Sequence, residues 1–200
     1  MTLLGLIRHG ETEWNRLGKM QGHADIPLTD ETRTLLKCFR PPEILQDAVW
    51  LTSPLGRARE TAKLLGVQNA SVHERLIETE WGDWQGLTLK ELRSNLGEAF
   101  LAQEGKGRHF QPPNGESPAD VMNRLRPFLA EVGQWDRPCA AVTHKGVIRA
   151  VLALAYEWDM TTPAPVKLTW QAAHLFEVTS NGDVCVVEMN VPFAHIAEGA

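Results

Sequence analysis

Three short apolar runs along the chain are each followed, at once or within a helical turn, by a polar residue that carries chemistry. Leu3–Ile7 is unbroken and ends at Arg8 and His9, Ala48–Thr52 runs into Ser53, and Cys139–Thr143 runs into His144. Continuous apolar runs this short predict strands buried on both faces, the pattern of a parallel sheet. Between them the apolar spacing turns helical. Thr29 is placed to cap a helix reaching about Phe39, with Asp30 and Glu31 in its first turn. Ser53 reads as a cap with Pro54 as the first helical residue, Leu55, Ala58, Ala62 and Leu65 as the inward stripe, and Gly66 as the stop.

Farther along, Val72–Leu76 reads as a third strand, and the stretch from Leu87 to Phe110 as one or two helical pieces. Ser117, Pro118 and Asp120 open another helix with a capping pattern, in which Pro127 predicts a kink or an early end. A helix follows His144. Two apolar segments joined by "SNGD" read as a closing pair of strands. Strands alternating with helices predict an α/β fold: a three-layer sandwich with a mostly parallel central sheet flanked by helices. No linker composition interrupts the chain, so residues 1–200 read as a single domain, with an inserted helical lobe around 87–115.

Composition narrows the function without naming it. The 200 residues are 43% hydrophobic, enough for a proper core, and the formal net charge is −5. That balance argues against nucleic acid as a partner, which favours a basic surface. The N-terminal apolar run, roughly five residues, is too short for a signal peptide or a membrane span. Cys38, Cys139 and Cys185 are scattered and form no metal or disulfide pattern, which makes a reducing cytoplasm the default.

What changes the picture is the position of the charged groups. In open α/β sheets ligands bind at the carboxyl ends of the strands. Arg8 and His9 follow the first run directly, Arg57 follows the second by about a helical turn, and His144 follows the third. Four cationic or potentially cationic groups therefore converge on one crevice, which suits a compact dianion such as phosphate. The helix beginning at Lys145 and Gly146 adds backbone N–H groups and a positive dipole end to that crevice.

The segments carrying these residues resemble, in order, those of the histidine phosphatase superfamily, the phosphoglycerate-mutase-like proteins. "LIRHGETEWN" is similar to its opening motif and "TSPLGRARETA" to its second-arginine segment. "LIETEWGDWQG" is similar to its acid segment, "NGES" to a later loop and "VTHKGVIRA" to its second-histidine segment. The resemblance implies the phosphoglycerate mutase-like fold and a phosphomonoester hydrolase that needs no metal or other cofactor. It implies His9 as the nucleophile that becomes phosphorylated, with Arg8, Arg57 and His144 holding the phosphoryl oxygens. Asn15 would be a neutral donor to the same group, and Gln21 and Gly22 would lie in the substrate loop. Glu78 would be the general acid, four residues before Gly82, in preference to Glu80. Trp81 follows the acid segment and would line the substrate mouth, and Lys145, at the start of the helix after His144, would also bind substrate. One departure is visible: after "DIPLT" the family continues to a glycine, and this chain has "DETRTLLKCF".

The expected partner is a small-molecule phosphate ester, with neither nucleic acid nor membrane, and the protein itself a monomer or homodimer. Two other readings stand beside hydrolysis: a mutase-type phosphoryl transferase and a non-catalytic phospho-ligand binder. The lobe between the acid segment and the later loop is short for a mutase, and a binder would not need Glu78. A metal held by His9, Glu78 and His144 is disfavoured, because Arg8 and Arg57 would repel a dication.

Overall fold

The computed structural model describes residues 1–196 and is built from eight strands and seven α-helices. In chain order the first half contains β1 (Thr2–Arg8), α1 (Glu13–Arg16), α2 (Asp30–Leu36), β2 (Phe39–Arg40), β3 (Val49–Thr52), α3 (Gly56–Leu64) and β4 (Ser71–Val72). Then come α4 (Leu89–Leu96), α5 (Glu98–Glu104), α6 (Pro118–Val132), β5 (Cys139–Thr143), α7 (Lys145–Tyr156), β6 (Ala172–Val178), β7 (Val184–Pro192) and β8 (Ala194–His195). The last four positions of the domain assigned from sequence lie outside the described residues.

Six strands form the central sheet in the order β4-β3-β5-β1-β6-β7. The first four are parallel to one another, whereas β6 is antiparallel to both β1 and β7. Side-chain alternation explains the two covered faces. Leu4 and Leu6 of β1, with Cys139 and Ala141 of β5, face the core built from α6 and α7. Ile7, Ala140 and Val142 face the core that contains Ala58, Ala62 and Leu65 from α3 and its end. A third, smaller cluster of Trp84, Leu92 and Phe100 lies in the lobe expected around residues 87–115, with Trp81 and Phe110 packed on it. Among the described residues no helix is long and apolar enough to cross a membrane.

The register of the parallel strands sets up the site. Arg8 is level with Thr143, and Thr52 with Val142. One step further on, β1, β5 and β3 deliver His9, His144 and Ser53 side by side, at the carboxyl end of the sheet.

Four local expectations are revised. The second helix ends at Leu36 rather than Phe39, because Phe39 starts β2 and packs its ring against Phe193 and His195. The expected strand at Val72–Leu76 is only Ser71–Val72, followed by a 3₁₀ turn over Glu74–Leu76. Helix α3 begins at Gly56, not Pro54, and Ser53 does not cap it. Its first N–H groups are taken instead by a remote carboxylate: Asp25 accepts from Gly56 N at 2.5 Å and Arg57 N at 3.3 Å. Finally, α6 runs through Pro127 to Val132, since Leu125, Phe128, Leu129 and Val132 are all buried on the sheet side and hold it there.

Candidate active site

His9 and His144 sit with ring centroids 5.0 Å apart, both nearly inaccessible to solvent. His9 Nδ1 lies 2.6 Å from the Gly10 carbonyl oxygen. A carbonyl only accepts, so Nδ1 carries the proton and Nε2 is left with its lone pair. Burial, then the charges of Arg8 and Arg57, hold His9 well below the usual imidazole range. The ring is therefore neutral and its free nitrogen nucleophilic.

His144 is held in the same state by burial first, then by His9, Arg57, Arg8 and Arg124. Its Nε2 lies 2.7 Å from Ser53 Oγ, and Ser53 Oγ also accepts from Leu55 N at 3.3 Å. His144 Nδ1 is buried and has no partner among the described residues. The serine that the sequence placed as a helix cap thus orients the second histidine.

Arg57 has a fully buried side chain. Two of its N–H groups donate to the Gly22 carbonyl at 2.8 Å and the Ala24 carbonyl at 2.7 Å, and Asp25 Oδ1 lies 3.6 Å away. Gly22 has φ = 53°, the left-handed region where a side chain is strained, and this turn aims its carbonyl at the guanidinium. Gly22 thus acts by fixing Arg57, while the neighbouring Gln21 is buried with Oε1 unpartnered. Arg8 is packed under Trp170, its guanidinium carbon 4.8 Å from the indole centroid. The Nε atoms of Arg8 and Arg57 are buried without an acceptor. Burial lowers both guanidinium groups, and Glu78 is the largest opposing charge for each.

Glu78 is 8% exposed. Its Oε1 accepts from Thr79 N at 2.8 Å and Gly146 N at 3.0 Å, while Oε2 has only a 3.4 Å contact with Gly146 N. The sequence suggested that the start of α7 would offer N–H groups to an anion. Instead, the Gly146 N–H holds the acid. Glu80 is committed elsewhere: its Oε2 lies 2.5 Å from His23 Nδ1, and its Oε1 accepts from Gly82 N at 3.2 Å.

Asn15 belongs to a capping box on α1: its Oδ1 accepts from Thr12 N and Thr12 Oγ1. That arrangement leaves its amide N–H groups without an acceptor among the described residues. Trp81 packs against Phe110 at 6.3 Å between centroids, on the lobe cluster next to the acid segment. Lys145 is exposed at the rim, 5.9 Å from the Trp170 ring.

Several residues were not singled out in the sequence as part of the site. Ser53 and Asp25 are two. His23 is a third, since its Nε2 lies 2.9 Å from the Glu78 carbonyl. Arg124 is a fourth: it donates to the carbonyls of Arg75, Ile77 and Glu78 and pairs with Glu116, fixing the acid segment from α6. The only signal for Ser53 was its place directly after a strand. Among the described residues, no group of three or more His, Cys, Asp and Glu side chains is arranged to hold a metal ion.

The chain is similar to known proteins along most of its length. Residues 4–191 match the model of the histidine phosphatase superfamily, branch 1. A glucosyl-3-phosphoglycerate phosphatase of Mycolicibacterium vanbaalenii is 37% identical over 165 residues, 75% of this chain and 72% of that protein. Phosphoserine phosphatase 1 of Hydrogenobacter thermophilus is 32% identical over 80% of this chain and 79% of its own. A mycobacterial glucosyl-3-phosphoglycerate phosphatase in complex with VO3 superposes with a TM-score of 0.78 at 29% identity, covering 96% of this chain and 100% of that one.

Proposed function

The chain belongs to the histidine phosphatase superfamily, and from that premise we propose that it hydrolyses a small phosphate monoester through a phosphohistidine at His9. The observation that carries this reading is the state of His9: neutral, its Nδ1 proton fixed by Gly10, and buried among guanidinium groups. A phosphoryl dianion entering the crevice meets the unpartnered Nε atoms of Arg8 and Arg57 and Nδ1 of His144. These groups stabilise the charge that spreads over the phosphoryl oxygens.

His9 Nε2 then attacks phosphorus in line, the N–P bond forms and the ester O–P bond breaks. Glu78, through its less engaged Oε2, gives a proton to the leaving oxygen. Nδ1 keeps its proton and donates it in a hydrogen bond to the Gly10 carbonyl, which stabilises the positive ring that results. In the second half, Glu78 takes a proton from water, the hydroxide attacks phosphorus, and inorganic phosphate leaves as the N–P bond breaks. Asn15, Gln21 and Gly22 serve the phosphoryl side of the pocket, and Trp81 and Lys145 its mouth.

The names of the relatives support a small phosphorylated metabolite as substrate and hydrolysis as the outcome. The whole chain acts as one catalytic domain, with the lobe around 87–115 on its substrate side. Its three free cysteines support a cytoplasmic location. The decisive experiment is acid-quench trapping during turnover. The wild-type protein should yield an acid-labile, base-stable phosphoryl group on His9, and His9→Ala should yield none and lose turnover. A labelled site elsewhere, or substantial turnover by His9→Ala, would overturn the proposal. Phosphate release from an aryl phosphate with no bisphosphorylated primer separates this reading from a mutase.

A further inference from the structure

Two cations at the edge of the crevice have no part in the scheme above beyond Lys145 lying at the mouth. Lys145 and Arg149 stand four residues apart on α7 and project from one face. Neither has an ion pair among the described residues, although the chain carries a net charge of −5. Arg149 lies with its guanidinium carbon 4.9 Å from the Trp158 ring, and Lys145 Nζ lies 5.9 Å from the Trp170 ring. Trp170 is the same indole that covers Arg8. Trp170 therefore joins Lys145 to Arg8, and Arg149 follows Lys145 by one helical turn on the same face.

The arrangement is locally unfavourable without a ligand. Like charges four residues apart on a helix repel, and Lys145 at the first position of α7 opposes the helix dipole. Burial lowers the Lys145 ammonium, Arg149 and Arg8 lower it further, and Glu78 opposes them. Arg149 is half-buried and has no opposing charge. A sequence that breaks local rules beside an active site is expected to recover the cost in binding.

We infer that Lys145, beside Trp170, and Arg149, one turn further along α7, form a second anion subsite, so that the preferred substrates carry a carboxylate or second phosphate on the alcohol that leaves. This rests on the phosphatase reading and deepens it. The phosphoryl group occupies Arg8, Arg57 and His144, and the second anion of the same molecule reaches the rim pair. The guanidinium of Arg149 can grip either group with two parallel N–H bonds.

A matched three-carbon series tests it: propyl phosphate, the phosphate ester of 3-hydroxypropanoate, and propanediol bisphosphate. The wild-type kcat/KM for one or both charged esters should exceed that for propyl phosphate by about tenfold or more. Arg149→Gln and Lys145→Gln should each cut that ratio by about fivefold or more, chiefly through KM, and Arg149→Lys should keep most of it. The faster charged ester identifies the second group as carboxylate or phosphate. Equal kcat/KM across the wild-type series, or a preference that survives Arg149→Gln, would overturn the subsite. Turnover of p-nitrophenyl phosphate reads the phosphatase proposal separately. If that turnover is absent, calorimetric titration of the same three esters reads the subsite directly, and equal affinities overturn it.

Discussion

Replacing Gly146 with alanine tests the acid without altering any side chain that touches substrate. Gly146 is the second residue of α7, and its N–H donates to Glu78 Oε1 at 3.0 Å. A Cβ added there would fall well inside van der Waals contact of both Glu78 Oε1 and Thr79 Oγ1. Restoring an ordinary separation requires a shift of about 1 Å. Thr79 gives the carboxylate no way round, because Thr79 N also donates to Oε1 at 2.8 Å and is itself buried. The carboxylate must therefore leave the position from which Oε2 serves the leaving oxygen.

A general acid contributes roughly 10²- to 10⁴-fold to rate, and a misplacement of about 1 Å costs on the order of 10²-fold. Gly146→Ala should therefore lower kcat/KM for alkyl phosphates by about 10²-fold. For aryl phosphates, whose leaving groups depart with little help, the loss should stay under about tenfold. Alanine is the better helix former by about 1 kcal/mol, which offsets part of the strain and keeps the variant folded. The assay is phosphate release across a series of leaving-group pKa values, read as kcat/KM so that it reports the first bond cleavage. A steeper dependence on leaving-group pKa in the variant is the expected result. An equal loss for aryl and alkyl esters, or full activity toward both, would refute the role assigned to Glu78.

Ser53→Ala removes the partner of His144 Nε2 and strands a buried nitrogen, which should cost about 1–3 kcal/mol of stability and lower kcat more than it raises KM. Denaturant midpoints and steady-state kinetics check both, and an unchanged kcat would remove Ser53 from the positioning of His144. Stability should fall as pH drops below about 6.5. His174 is fully buried and pushed to about 4, and His9 and His144 shift in the same direction. In that window the unfolded chain binds protons that the folded chain does not, so each lost pH unit favours unfolding. Between pH 6.5 and 4 His174 alone accounts for about 3 kcal/mol, and His174→Gln should flatten the measured slope; an equally steep slope in that variant would contradict the assignment. Chelator treatment should leave phosphate release intact, and a loss restored by a divalent cation would show that the site works with a metal.

Much of the catalytic set was legible because a parallel sheet turns sequence order into position. Apolar runs that stop abruptly at Arg8, His9 and His144 mark strand ends, and the register of β1 with β5 brings the two histidines together. The helpers were hidden because their partners are remote. Ser53 meets His144 91 residues away, and Asp25 caps a helix 31 residues away. The "SP" at Ser53 is also a good helix-start signal, and that local reading won in the sequence although the tertiary one wins in the fold. Trp170 lies in a stretch with neither helical nor alternating periodicity. Nothing local marks it as the cover of Arg8. The same holds for His23 and Arg124, whose acceptors are carbonyls and carboxylates of the acid segment rather than neighbours in sequence.

These helpers share one physical task. A neutral imidazole beside two buried guanidinium groups is stable only if the cations are held off by something other than a carboxylate directly on the nucleophile. Arg57 is met by the carbonyls of Gly22 and Ala24 and by Asp25. Arg8 is met by the face of Trp170. Glu78, the largest opposing charge for both, is tethered by the backbone of Thr79 and Gly146. The Nε atoms of both arginines and Nδ1 of His144 stay buried and unmet among the described residues. Unmet polar atoms of this kind are expensive in a resting protein, and the sheet ends and the two large cores beneath them keep the side chains in place. In the proposed reaction the acceptors that relieve them are the equatorial oxygens of the transferring phosphoryl group, over which its charge is spread. On that proposal the cost of leaving these atoms unmet at rest is recovered when the phosphoryl group binds, and it adds to the rate only where the contacts tighten during transfer.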